Sequence, residues 1–390
     1  MTSAKATAER NFDEHEDALQ HLSRWMYENP ELAYKEFETS ARMAQALVDG
    51  GFDVTHPAYG LDTAFEANIG SKGPRVIICA EMDALPEVGH ACGHNIIAAA
   101  GIGAGLALAP VVEELGFRVT VLGTPAEEHY GGKIDLIKAG AFEDAACSMM
   151  VHPSTRDVVD PVFLAIDHIS VEFFGKAGHA SSSPEVGINA LDAAVQAYNN
   201  VAALRQHMLD SDRVHGIITH GGAAPNIVPD HTTMDWYIRS GTAERLETLS
   251  KRVKACFEAA ALATGCTFEV SSSGYRYKDI KNDMVLVDLY QANTALIGRP
   301  MPKHADIPPR TSGSTDMGNV SYEVPSIHPM LDIDALPAVN HQREFASATL
   351  GPKGMATIRD GALAMAYTAI DLAEGDRWGE LGEWRTPPSA

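Results

Sequence analysis

Within twelve residues the chain offers a carboxylate, a thiol and an imidazole, in Asp83-Ala-Leu-Pro-Glu-Val-Gly-His-Ala-Cys92-Gly-His94. Cys92 and His94 stand one residue apart on a glycine-flexed loop. A soft thiolate beside an imidazole is half of a site for zinc or another transition ion. Farther along come Gly123-Thr-Pro-Ala-Glu127-Glu128 and Met150-Val-His152-Pro153. Metal-assisted hydrolysis needs one carboxylate on the metal and another as base for the water, so an adjacent pair of glutamates can fill two roles. Taken singly, Asp83 fits a cap of the next segment, Glu127-Glu128 a solvated turn, and His152 a core histidine. The argument for chemistry is their convergence.

That convergence depends on three strands. Arg75 to Ala80 carries the β-branched run Val76-Ile-Ile78 and is expected to be a buried parallel strand that delivers Asp83 at its carboxyl end. Arg118 to Gly123 and Ala146 to Val151 are expected to do the same for Glu127-Glu128 and His152. The carboxyl ends of neighbouring parallel strands lie side by side, where open α/β sheets bind ligands. Between the strands fall an apolar helix from Ile96 to Ala109 and a helix near Gly132 to Ala139. The alternation predicts a mainly parallel, twisted sheet with helices on both faces. Two amphipathic helices, Asn11 to Glu28 and Phe37 to Asp49, precede it.

From about Ala165 the order becomes strand, helix, strand, strand, helix, strand, which is that of a ferredoxin-like βαββαβ unit. The elements are Ile166 to Gly175, Gly187 to Leu209, Val214 to His220, His231 to Ser240, Ala243 to Thr264 and Thr267 to Ser272. Helices Asp283 to Ile297 and Gly354 to Glu374 then return to the first domain. The expected division is residues 1–164 and 278–390 for an α/β domain and 165–277 for an insertion, with a loose tail at Thr386 to Ala390.

The 52 acidic residues outnumber 30 basic ones, and a formal charge of −22 repels polyanions, so nucleic acid is not an expected partner. Five cysteines at irregular spacing argue against a disulfide framework. The polar, acidic stretch Thr2 to Gln20 has no apolar signal core, and the run Ile96 to Val112 is interrupted by glycines and Pro110 and short for a bilayer. A cytoplasmic protein with no membrane partner is the expectation.

Six segments, in order along nearly the whole chain, resemble the M20 metallopeptidase and aminoacylase family in its amidohydrolase branch. They are Glu81-Met-Asp83-Ala-Leu-Pro86, Cys92-Gly-His94-Asn95, Thr124-Pro-Ala-Glu127-Glu128, Gly175-Lys-Ala-Gly178-His179-Ala-Ser181, Pro225-Asn226-Ile-Val-Pro229-Asp230 and Gly313-Ser-Thr-Asp316. The resemblance implies metal ligands Cys92, His94, Glu128, His152 and His328, the last from Pro325-Ser-Ile-His328-Pro329. It implies Glu127 as general base and Asp83 as the residue that orients a ligand. His179, on an inserted lid and dimerisation domain, resembles a histidine that reaches the scissile carbonyl from the partner subunit of a homodimer. Asn226 and Arg239 resemble residues that hold the substrate's carboxylate or nearby polar groups, although Arg239 alone also fits a surface strand position. The implied cofactor is Zn²⁺, as one or two ions, or Mn²⁺.

Two positions depart from the wider family. Glu81 stands where many members carry a metal-binding histidine, and Cys92 where many carry a bridging aspartate. The resulting expectation is a metal-dependent amidohydrolase acting on a small N-acyl amino acid, N-acyl-glutamine included. The alternatives are a dipeptidase of the same family and a ligand-binding homologue without turnover.

Overall fold

The computed structural model describes residues 1–308 and 313–383, so the expected loose tail lies outside the described residues. Phe163–Asp279, joined by residues 313–315, is one compact unit; Met1–Val162, with residues 280–308 and 316–383, is the other.

All seven residues of strand Arg75–Glu81 are buried, as expected of an uninterrupted apolar run flanked on both sides. It pairs in parallel with Arg118–Thr124 and with Ala145–Met149. The full sheet order is Asp53–Thr55, Phe65–Ile69, Arg118–Thr124, Arg75–Glu81, Ala145–Met149 and Ser326–Ile327. The first two strands run antiparallel and make one edge of the sheet. Phe65–Ile69 is short and only partly buried, so its alternation carries too little signal to be read from sequence.

The helix His94–Leu108 is buried at every residue, which explains why it is apolar all round. It packs against the helices Ser3–Glu28 and Pro352–Glu374. Ser3–Glu28 begins eight residues before the expected Asn11, because Lys5, Ala8 and Phe12 extend the buried stripe of Leu19 and Met26 and Thr2 caps it by accepting the Lys5 N–H.

The inserted unit holds a four-stranded antiparallel sheet in the order Thr267–Ser272, Ala165–Phe174, His231–Ser240, Arg213–His220. Helices Ala190–Leu204 and Ala243–Thr264 complete βαββαβ, the ferredoxin-like order anticipated from the sequence. Phe173, Met234, Trp236 and Phe257 fill its core. The edge strand Arg213–His220 leaves Ile217 64% exposed. Among the described residues no helix is long and apolar enough to cross a membrane.

Candidate metal centre

Glu81 lies directly opposite Thr124 in the parallel ladder, so the segments leaving these two strands start side by side. Asp83, on the first of them, is 1% exposed. Its Oδ1 accepts the backbone N–H of Glu127 at 3.1 Å and its Oδ2 that of Glu128 at 3.0 Å. Oδ1 also lies 3.1 Å from Nδ1 of His94. One carboxylate thus joins three residues from two strand ends. Burial acts to raise the Asp83 carboxyl, but the His94 ring and the two amides outweigh it and hold the carboxyl below its ordinary value.

Cys92 and His94 owe their placement to the glycine between them. Gly93 has φ 86° and caps the helix His94–Leu108; a Cβ there would stand 2.7 Å from Cγ of Pro153. The approach brings Sγ of Cys92 to 3.4 Å from Nε2 of His152. Nδ1 of His152 is 2.7 Å from the Pro153 carbonyl oxygen, an acceptor, so Nδ1 carries the hydrogen. Nδ1 of His94 donates to Asp83 by the same reasoning. His152 therefore presents an Nε2 lone pair, and His94, held at Nδ1 by Asp83, leaves its Nε2 for an ion, the arrangement in which a second hydrogen bond fixes a metal ligand.

The ligand atoms of Cys92, His94 and His152 lie within 4.8 Å of one another, and so do those of Cys92, Glu128 and His341. The two groups share the Cys92 thiol. Nε2 of His94 and Oε1 of Glu128 are buried with no hydrogen-bond partner, a costly state that a bound cation relieves. Burial and then the Glu128 charge push the Cys92 thiol well up, so its thiolate also calls for a cation. The donor set of thiolate, imidazole and carboxylate suits a transition ion such as zinc.

Four of the five ligands implied by the resemblance thus come together, and the fifth, His328, lies against the ring of one of them, His152. Its ring centroid is 5.4 Å from that of His152, and among the described residues it joins neither group. The histidine that does join is His341, which sequence reasoning missed. His341 sits in a loop at φ 72°, its N–H donates to the Ala91 carbonyl at 2.8 Å, and its Nε2 is 3.5 Å from Oε2 of Glu128. The resemblance implied His328, and His341 lies on a loop with no strand-end or helical pattern around it to mark it.

Glu127 is 7% exposed, with Oε2 4.0 Å from Nε2 of His94. Burial, then the charges of Glu81 and Glu128, push its carboxyl well above the ordinary range. Beside it lies a residue that no sequence pattern singles out. The Lys133 ammonium is fully buried, 2.5 Å from Oε1 of Glu81 and 2.7 Å from Oδ1 of Asp316. Glu81, one of the two departures from the wider family, therefore has a lysine as its cation.

The remaining candidates lie in the inserted unit. His179 is exposed, and its Nδ1 accepts the N–H groups of Ser181 and Ser182, each at 3.3 Å, which leaves Nε2–H to donate outward. The exposed Asn226 lies beside it, its carbonyl taking the Ala180 N–H at 3.1 Å. Arg239, half-buried on the open face of the sheet, donates to Oγ of Ser314 at 2.7 Å and among the described residues has no carboxylate within ion-pair distance.

A sequence family described as a peptidase dimerisation domain matches residues 166–265. The chain is 40% identical over 382 residues to a Xaa-Arg dipeptidase of Mus musculus, covering 94% of this chain and 88% of the relative. It is 31% identical over 275 residues to one of the subunits of the p-aminobenzoyl-glutamate hydrolase of Escherichia coli (strain K12), covering 64% and 57%. A Bacillus subtilis protein solved as a dinuclear metal-binding peptidase of the M20 family shares the fold, with a TM-score of 0.73 at 20% identity over 93% of this chain and 99% of that one. The chain belongs to the M20 metallopeptidase family, hydrolases that act on amide and peptide bonds.

Proposed function

We propose that the chain is a two-metal dipeptidase that cleaves an amide next to a free α-carboxylate. The observation that carries this is the pair of ligand groups sharing Cys92, with Glu127 alongside. Cys92, His94 and His152 would hold one ion, and Cys92, Glu128 and His341 the other, with zinc favoured by the thiolate. Bound there, the ions supply a Lewis acid for the scissile carbonyl and lower the pKa of water.

The chain's own groups do the rest. Glu127 takes a proton from the attacking water as its oxygen bonds to the carbonyl carbon, and returns that proton to the amine nitrogen as the C–N bond breaks. Asp83 keeps His94 in the tautomer that presents Nε2 and fixes the amides of both glutamates. The outward Nε2–H of His179, supplied by the second subunit of a homodimer, donates to the developing oxyanion. The dimerisation-domain match and the exposed Ile217 on an edge strand support that assembly. Arg239, which among the described residues has no carboxylate within ion-pair distance, suits the substrate's α-carboxylate. The Xaa-Arg dipeptidase among the relatives favours a dipeptide, and the aminobenzoyl-glutamate hydrolase keeps an N-acyl amino acid, N-acyl-glutamine included, as the second reading.

The test is turnover by protein stripped with a chelator and reloaded with Zn²⁺ or Mn²⁺, on dipeptides with basic C-terminal residues and on N-acyl amino acids. Glu127→Gln is expected to lose at least ~10²-fold in kcat with metal still bound, and Glu128→Ala to lose metal. No turnover on any substrate, or near-normal kcat in Glu127→Gln, overturns the reading.

A further inference from the structure

The turn that carries Glu127 is gripped from a second side by a residue far from it in sequence. Glu36 caps the start of helix Phe37–Asp49, yet it is 0% exposed. Its Oε1 accepts the backbone N–H of Ala126 at 3.0 Å and its Oε2 the Thr63 hydroxyl at 2.8 Å. Ala126 immediately precedes Glu127 and has φ 60°, the left-handed conformation that a non-glycine residue holds only when its surroundings enforce it. With Asp83 on the next two amides, three consecutive N–H groups end on two buried carboxylates. A fully buried carboxylate bears a large desolvation cost, and this one meets it with one hydroxyl and with the amide of Ala126, 90 positions away, at the foot of the turn that carries Glu127.

We propose that Glu36 is a positioning residue for catalysis, holding the left-handed turn at Ala126 so that the Glu127 carboxylate stands where it can take the proton of the attacking water. The proposal rests on Glu127 being the base. A displacement of about 1 Å at a reacting group costs on the order of 10²-fold in rate, which sets the scale.

The experiment is a double-mutant cycle on the metal-saturated full chain, with kcat, KM, metal content and circular dichroism measured for each protein. Glu36→Ala is expected to lower kcat by roughly 10- to 100-fold with KM within about twofold and metal content unchanged. Glu36→Gln, whose amide oxygen can accept the same N–H, is expected to keep most of the activity. Glu36→Asp retains the charge but draws the oxygen back, and serves with an intermediate loss if Glu36→Ala does not fold. In a Glu127→Gln background either loss is expected to vanish, because Glu36 then has no base to position. Wild-type kcat in Glu36→Ala or Glu36→Asp, or a loss that multiplies undiminished onto Glu127→Gln, overturns the proposal. A fully active Glu127→Gln single variant instead overturns the base itself, so the two failures are distinct.

Discussion

In the first unit the cation of the central ion cluster is itself out of reach of water: Lys133, Glu81 and Asp316 have side chains that are 0% exposed. The inserted unit also buries carboxylates, Asp167 and Asp212, but each pairs with a guanidinium at the solvent edge, Arg276 at 37% and Arg245 at 36% exposure. Its interior is left to Phe173, Met234, Trp236 and Phe257. Full desolvation of both partners is costly, and a hydrophobic replacement commonly does as well or better for stability. That the cost is borne beside Glu127 and avoided in the inserted unit marks the first as shaped by chemistry and the second by packing and assembly.

The largest effect expected from this contrast is in Lys133→Met. Removing one member of a buried ion cluster leaves Glu81 and Asp316 uncompensated, and a loss of roughly 3–5 kcal/mol in unfolding free energy is expected. Chemical denaturation checks it, and adding Asp316→Asn should recover part of the loss. A Lys133→Met protein as stable as wild type would erase the distinction between the units.

Next comes the pH dependence contributed by Glu36. Burial, then the charge of Asp83, raises its carboxyl from 4.5 to about 7. An acid whose folded pKa is raised binds more protons in the native state than in the unfolded chain across that window. Its contribution to stability is therefore greatest below about 4.5, declines as pH rises through the window, and is level above about 7. Glu36→Gln lacks this dependence, so relative to wild type it should gain up to about 3 kcal/mol between pH 5 and pH 8. Parallel stability curves for the two proteins would contradict the assignment.

The smallest effect is expected in the inserted unit, where Arg276→Ala leaves Asp167 with the Ser250 hydroxyl and a route to solvent. With its guanidinium more than a third exposed, the pair is screened, and a cost of about 1 kcal/mol or less is expected, with metal content unchanged. A loss as large as that of Lys133→Met would show that the inserted unit depends on buried charge after all.

Much of the site was legible in the sequence because parallel strands impose it. Asp83, Glu127, Glu128 and His152 follow strand ends that must lie side by side, and the Cys92-Gly-His94 spacing is local chemistry. Glu36, Lys133 and His341 were not legible, for a shared reason. Glu36 meets Ala126 from 90 positions away, Lys133 meets Asp316 from 183, and His341 arrives on a loop. Residue type alone presents them as a helix-start glutamate, a helical lysine and a loop histidine, and only the packing of distant segments gives each its partner. The antiparallel edge strands are not legible because they are short and half wet. The ferredoxin-like unit was legible because each of its elements is long enough to show its period.

The helix that begins at His94 has a further consequence for anyone who wishes to retune the metal preference of such a centre. Its every face is committed to neighbours, so it can neither slide nor turn to suit an ion of another radius without disturbing packing along its whole length. His341, by contrast, is 58% exposed on a loop. In the proposed centre His94 would be the ligand cast into the frame and His341 the one on an exposed loop, so redesign has room at residues 339–342 and almost none at 94.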